Sequence, residues 1–171
     1  MNDLTLNDWA DLAEVVSALS IVGGLIYGYF QIRYFQKQQL DTVASNLTQT
    51  FYSKDLAQAL ALLQEVPDGI GATEMRLKGA QYPEAAVIVT TSFETMGLLV
   101  YKGIAPLDLV LDMAGGIITV MHRRLAQWQS DIRIEQDQPS WAEWFDWLGE
   151  RAIREKNREP PAHVKHRNWQ P

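Results

Sequence analysis

Residues 12–32 of the sequence read LAEVVSALSIVGGLIYGYFQI, a stretch of almost entirely uncharged residues. At 1.5 Å per residue, a helix of this length measures about 31 Å, which is enough to cross the hydrocarbon core of a bilayer. Glu14, close to one end, is its only charged residue. The sequence therefore predicts a transmembrane helix over residues 12–32. The alternative is a buried helix in a soluble bundle, because glycines and serines dilute the strongly apolar side chains of the stretch.

Charged residues on either side predict the orientation of this helix. Residues 1–11 contain acidic residues but neither lysine nor arginine, unlike the basic start of a secretory signal peptide. Arg33 and Lys37 follow the stretch, and basic residues at the end of a span stay on the cytoplasmic side. We expect a retained single-pass helix in the bacterial inner (cytoplasmic) membrane. Residues 1–11 would form a short extracytoplasmic N terminus, and the C-terminal domain would lie in the cytoplasm.

A stripe of small residues runs along the predicted membrane helix. Ser20, Gly24 and Gly28 are spaced four apart, so they lie on one helix face. Small side chains let the backbones of two membrane helices approach closely. We predict that these three residues form an oligomerisation interface and that the protein is a homo-oligomer. The alternative is that small residues are simply frequent in membrane helices.

The rest of the chain predicts an all-α fold, since it shows neither strand alternation nor an internal repeat. The transmembrane helix is expected to continue into a cytosolic helical bundle of about four helices, over residues 33–156. Ser140 and Glu143 have the spacing of a capping box and predict the start of the last helix. The apolar spacing and the positions of proline and glycine predict the other helices at residues 32–66, 83–103 and 106–134.

Composition excludes several kinds of chemistry. The 171-residue chain has no cysteine, which excludes disulfides, thiolate metal sites and a cysteine nucleophile. We expect no cofactor, no bound metal and no DNA partner. The formal net charge is −6, but residues 151–171 hold six basic and two acidic residues, a local charge of +4. Residues 157–171 are predicted to form a basic irregular tail that contacts anionic lipid or RNA, or is a solvated end of the chain.

Two groups of acidic residues suggest chemistry, and each has a structural alternative. Asp108 and Asp112 lie one helical turn apart, the spacing of a carboxylate metal or acid–base pair, and Glu94 lies in a helix able to face them. Acidic residues in the first turn of a helix more often offset its dipole. Glu94 is also a partner for a structural ion pair with Arg123 or Arg124.

Arg158 and His163 are the candidate catalytic residues, because they have the Arg-x4-His spacing that resembles the ribonuclease motif of HEPN domains. Members of that family are helical bundles in which such a pair, in a shared dimer cleft, cuts RNA without a metal. The resemblance implies a ribonuclease site at these two residues. However, Pro160 and Pro161 lie inside the motif and break the helical context that it needs.

Three segments carry a broader resemblance: Leu6-Asn7-Asp8-Trp9-Ala10, Phe93-Glu94-Thr95-Met96-Gly97-Leu98-Leu99-Val100 and Asp108-Leu109-Val110. Together they resemble a family of uncharacterised bacterial proteins, a domain of unknown function with no assigned activity. The plan of one N-terminal span and a small helical domain is similar to the Cas13b-associated accessory membrane pore. That similarity of plan implies a ring-shaped homo-oligomer that permeabilises or depolarises the inner membrane during phage defence.

These observations favour a non-enzymatic membrane protein that self-associates through its membrane helix and its helical domain. Its expected role is that of a pore, or of a membrane effector or scaffold for a partner. The alternative is a membrane-tethered HEPN-like ribonuclease that uses Arg158 and His163, or His122 with nearby arginines.

Overall fold

A computed structural model describes residues 6–51, 53–158 and 160–170. Over these ranges the chain forms α-helices and no strand, which confirms the predicted all-α class. The helices, in chain order, are α1 (Leu6–Phe51), α2 (Lys54–Leu63), α3 (Ala72–Lys78), α4 (Gln81–Tyr101), α5 (Leu107–Glu135), α6 (Glu143–Lys156) and α7 (Ala162–Lys165).

The helix α1 contains the predicted membrane segment and is 46 residues long. Within the described ranges, no helix is both long enough and apolar enough to cross a membrane. The predicted transmembrane, single-pass arrangement is therefore not supported there. Residues 1–5 of the predicted extracytoplasmic N terminus, and the side chain of Lys37, lie outside what the structure describes.

The chain divides into two units between Thr42 and Val43. The boundary lies inside α1, about ten residues beyond the predicted end of the membrane segment. The first unit contains most of α1, and the second contains α2 to α7. The long helix predicted over residues 32–66 is wrong, because α1 ends at Phe51 and α2 begins at Lys54. Ser53 caps α2, its hydroxyl accepting a hydrogen bond from the N–H of Leu56 at 3.3 Å.

Five helices, α2 to α6, supply the hydrophobic core of the second unit. Helix α4 packs against α2 and α6, and α5 packs against α6. The largest fully buried side chains are Trp128 in α5, Phe93 in α4 and Phe145 in α6. The ring centroids of Phe93 and Phe145 lie 5.2 Å apart, which places aromatic contact at the centre of the α4–α6 interface.

The predicted bounds of α4 and α5 are close to the observed ones. Proline lies in the first turn of α4 and just before α5, where its missing N–H costs no helical hydrogen bond. The start of α6 differs from the prediction, because Ser140 does not cap it. Ala142 is the N-cap residue, in the left-handed conformation with φ 59°, and it supplies no side-chain acceptor.

Candidate functional site

The described part of α1 carries a band of exposed apolar side chains. Each of these side chains is more than half exposed, and successive helical residues point about 100° apart, so the band surrounds the helix. A helix that is apolar on every side is normally buried in a protein core or in a membrane. We call this the α1 apolar band: Val16, Leu19, Ile21, Val22, Leu25, Ile26, Tyr27, Tyr29, Phe30, Ile32, Tyr34 and Phe35.

The predicted oligomerisation residues lie within this band. A Cβ atom added at Gly24 or Gly28 would meet nothing within 4 Å, so the backbone there is open to a partner helix. The hydroxyl of Ser20 donates to the carbonyl of Val16 at 2.8 Å, within the same helix. That internal bond satisfies the Ser20 hydroxyl without water.

A polar contact between α4 and α6 begins at Glu94. Its carboxylate accepts a hydrogen bond from the N–H of Phe145 at 2.7 Å, in the first turn of α6. Burial raises the pKa of Glu94 above its ordinary value of 4.5, although backbone hydrogen bonds from Phe145 and Trp144 oppose the rise. The side chain thus supplies the cap that the residues before α6 do not provide.

Beside this cap, Asp146 joins α5 to α6 through an ion pair with Arg133 and a close contact with His122. Its Oδ1 lies 3.2 Å from Nε2 of His122, and its Oδ2 lies 2.6 Å from the Arg133 guanidinium. Burial raises the pKa of Asp146, but the hydrogen bonds from His122 and Arg133 outweigh it and lower the pKa below its usual value. Arg133 also donates to the carbonyl of Trp141 at 2.7 Å.

These contacts hold helices together more readily than they support catalysis. Both oxygens of Asp146 are engaged, and the His122 ring packs so closely that a Cβ at Gly149 would overlap it. Among the described residues, no group of histidine and carboxylate side chains is arranged to hold a metal. His122 was a candidate from sequence, whereas Asp146 and Arg133 were missed because no short spacing connects them to it.

The expected ion pair between Glu94 and Arg123 or Arg124 is wrong. Both arginines instead bind Asp68, with Arg123 Nε donating at 2.5 Å and Arg124 Nε at 3.3 Å. Arg124 also donates to the carbonyl of Leu63 at 2.8 Å. These bonds fix the segment between α2 and α3 against α5.

The paired aspartates lie in a cleft of about 660 Å³ between the start of α5, the end of α6 and α7. Asp108 and Asp112 face it from α5, and Glu155 faces it from α6. Basic residues line the same cleft, among them Lys165 and His166 of the predicted tail. Because the Glu94 carboxylate is engaged at the start of α6, the structure does not assemble it with the two aspartates.

The candidate catalytic pair lies at the C-terminal end of the second unit. Arg158 follows α6 and donates to Glu155 at 2.6 Å, whereas His163 lies in the separate helix α7. Both side chains are exposed, and Pro160 and Pro161 lie between them. The motif needs both residues in one helix. Arg158 and His163 do not share a helix, so the structure does not provide that arrangement.

The chain matches the model of a family described as a domain of unknown function (DUF4760), over residues 4–152. The chain belongs to the DUF4760 family. This membership agrees with the predicted kinship to an uncharacterised family, and it carries no assigned activity. The DUF4760 match includes the α1 apolar band and the α4–α6 contact but ends before residues 153–171. No match was found among curated proteins or solved structures.

Proposed function

We propose that this protein is a membrane-anchored, self-associating protein of the bacterial inner membrane, with α1 as its anchor and the helical domain in the cytoplasm. The observation that carries the proposal is the α1 apolar band. Exposed apolar patches of this extent on a soluble protein mark a site that contacts another protein or a membrane. A bilayer contacts a helix on every side. This matches α1, whose exposed apolar side chains point in all directions around the helix axis.

The chemistry around the band supports an anchor at residues 12–32. Arg33 and several tyrosines follow the most apolar part, and both residue types favour the interface between lipid and water. The Arg33 guanidinium lies 5.5 Å from the ring centroid of Tyr29. In such a pair the aromatic ring contacts the guanidinium, so the positive charge at the bilayer surface has a partner.

Self-association accounts for the modest apolarity of α1. No described helix has the apolarity of a membrane span by itself, so we propose that several α1 helices enter the membrane packed against one another. In such a bundle, part of each helix contacts protein rather than lipid. Ser20, Gly24 and Gly28 form the proposed contact, because their small size permits close backbone approach.

The size of the assembly separates two roles. A ring of many subunits would form a pore, whereas a dimer would serve as a scaffold for a partner. Within the described part of the chain, no contact favours the ribonuclease alternative, since Arg158 bonds Glu155 and prolines separate it from His163.

Two measurements test the proposal. First, the full-length protein is expressed in bacteria, and its membranes are washed with alkaline carbonate. We expect the protein to stay with the lipid, and its release into the wash would overturn the anchor. A variant with Val22→Lys and Leu25→Lys should be released, because charges at the bilayer centre are costly.

Second, the mass of the detergent-solubilised protein is measured by native mass spectrometry. We expect a discrete oligomer, and Gly24→Leu with Gly28→Leu should reduce it to smaller species. Gly23→Leu is the matched control, because it adds the same bulk away from the stripe and also meets no atom within 4 Å. A monomeric wild-type protein would overturn self-association. Equal effects of both variants would overturn the stripe as the interface.

A further inference from the structure

The C-terminal segment differs in charge from the rest of the molecule. Residues 160–170 contain Lys165, Arg167 and two histidines but no acidic residue. Residues 151–171 carry +4 in a chain of net charge −6, so the remaining residues carry −10. Positive charge is thus concentrated at one end of an acidic protein.

All side chains in residues 160–170 are exposed, including two large apolar ones. Trp169 is 70% exposed and Val164 is 44% exposed. An indole ring with an N–H donor favours the boundary between lipid and water. Exposed tryptophan beside lysine and arginine is the composition of segments that lie on anionic membrane surfaces.

The cleft provides an internal partner for the same segment. Lys165 and His166 line it together with Asp108, Asp112 and Glu155. These acidic side chains face the basic segment across the cleft, the two aspartates from the start of α5. An anionic bilayer surface presents a far higher density of negative charge and competes with them.

We infer that residues 160–170 form a second, electrostatic membrane contact that binds the headgroups of anionic phospholipids. The inference rests on the proposed function, because an anchor in α1 is what keeps this segment close to a bilayer. The same surface that attracts the segment repels the acidic remainder of the domain. Anionic lipid therefore turns the C-terminal end of the domain toward the membrane.

The test uses the absence of cysteine, which allows one label at a chosen position. Asn168→Cys in the full-length protein is labelled with a dye whose emission shifts to the blue in a less polar environment. The protein is reconstituted into phosphatidylcholine vesicles, with or without one third phosphatidylglycerol. We expect a blue shift only with phosphatidylglycerol, and its loss at high salt, which screens exposed charges.

Variants test whether the blue shift of the dye depends on residues 160–170. Lys165→Gln with Arg167→Gln should abolish it, and Trp169→Ala should reduce it. Thr73→Cys, an exposed position in α3, is the matched label control and should not respond to phosphatidylglycerol. Identical emission from the labelled Asn168→Cys protein in both vesicle types would overturn the inference. So would a shift produced by single-stranded RNA but not by anionic lipid.

The test of the lipid-binding segment can be distinguished from the test of the α1 anchor. Carbonate extraction of the same vesicles reports whether α1 holds the protein in lipid. If the protein resists extraction but the dye does not respond, the lipid-binding segment is wrong and the anchor stands. If the protein is extracted yet the dye responds beforehand, the segment binds lipid and the anchor is wrong.

Discussion

The carboxylate of Glu94 lies 2.7 Å from the backbone nitrogen of Phe145 and caps a helix that begins 49 residues after it. Ala142, the local N-cap residue, has no acceptor to offer, so a neighbouring helix supplies it. The contact joins α4 and α6 where Phe93 and Phe145 also pack. One side chain thus satisfies the start of α6 and fixes its position on α4.

Replacing this cap should destabilise the domain. Glu94→Ala leaves the N–H of Phe145 buried without its acceptor, and we expect a loss of about 1–2 kcal/mol in the free energy of unfolding. Glu94→Gln keeps an acceptor oxygen and should cost less. Urea unfolding of the full-length protein, followed by tryptophan fluorescence, measures both. Equal stability of the alanine variant and the wild type would show that water replaces the cap.

Gly97, one turn after Glu94, should not accept a side chain. An added Cβ would lie well inside 3.0 Å of the Trp144 carbonyl oxygen, which is backbone and cannot move aside cheaply. We expect Gly97→Ala to cost about 3 kcal/mol in the free energy of unfolding. Gly116→Ala is the control, since its Cβ meets nothing within 4 Å and alanine favours a helix by roughly 0.5–1 kcal/mol. The same unfolding assay should show opposite signs, and a harmless Gly97→Ala would mean that α4 and α6 separate easily.

Helices α4 and α5 could be predicted because proline and glycine in the sequence mark their ends directly. Helix α3 was not predicted, because its seven residues are too few to establish a helical period. One continuous helix was predicted where α1 and α2 are separate, since apolar residues continue at helical spacing past Ser53, the N-cap residue of α2. The sequence thus predicts a helix reliably only where the apolar pattern is long or where proline and glycine mark its ends.

The candidate site was less predictable for a related reason. Ser140 and Glu143 satisfy the capping-box pattern, but the cap that forms comes from Glu94 in another helix. Arg123 and Arg124 bind Asp68, more than 50 residues away. No spacing along the chain encodes such tertiary contacts. The apolar band of α1, in contrast, could be predicted from the sequence, because its residues lie close together along the chain and it depends on no tertiary contact.

The contacts of Asp146 with Arg133 and His122 should make the stability of the domain depend on pH. Since the pKa of Asp146 is lowered on folding from its ordinary 3.8, its ionised form stabilises the domain above that value. The contribution is lost as the pH falls through the lowered pKa. Asp146→Asn should therefore be less stable than wild type at neutral pH, and this difference should shrink toward acid. Thermal unfolding at a series of pH values measures this difference, with Asp137→Asn, at an exposed position, as the matched control.

Gln129 is a polar residue within the hydrophobic core. It is fully buried in α5, and neither its amide nitrogen nor its amide oxygen has a hydrogen-bond partner among the residues that the structure describes. An unpaired buried amide costs free energy, so Gln129→Leu should raise the free energy of unfolding by about 1–2 kcal/mol. The exposed Gln127→Leu, which loses only a bond to Asp131, is the control and should change stability little. A less stable Gln129→Leu protein would show that the amide binds an internal water, whose loss leaves a gap.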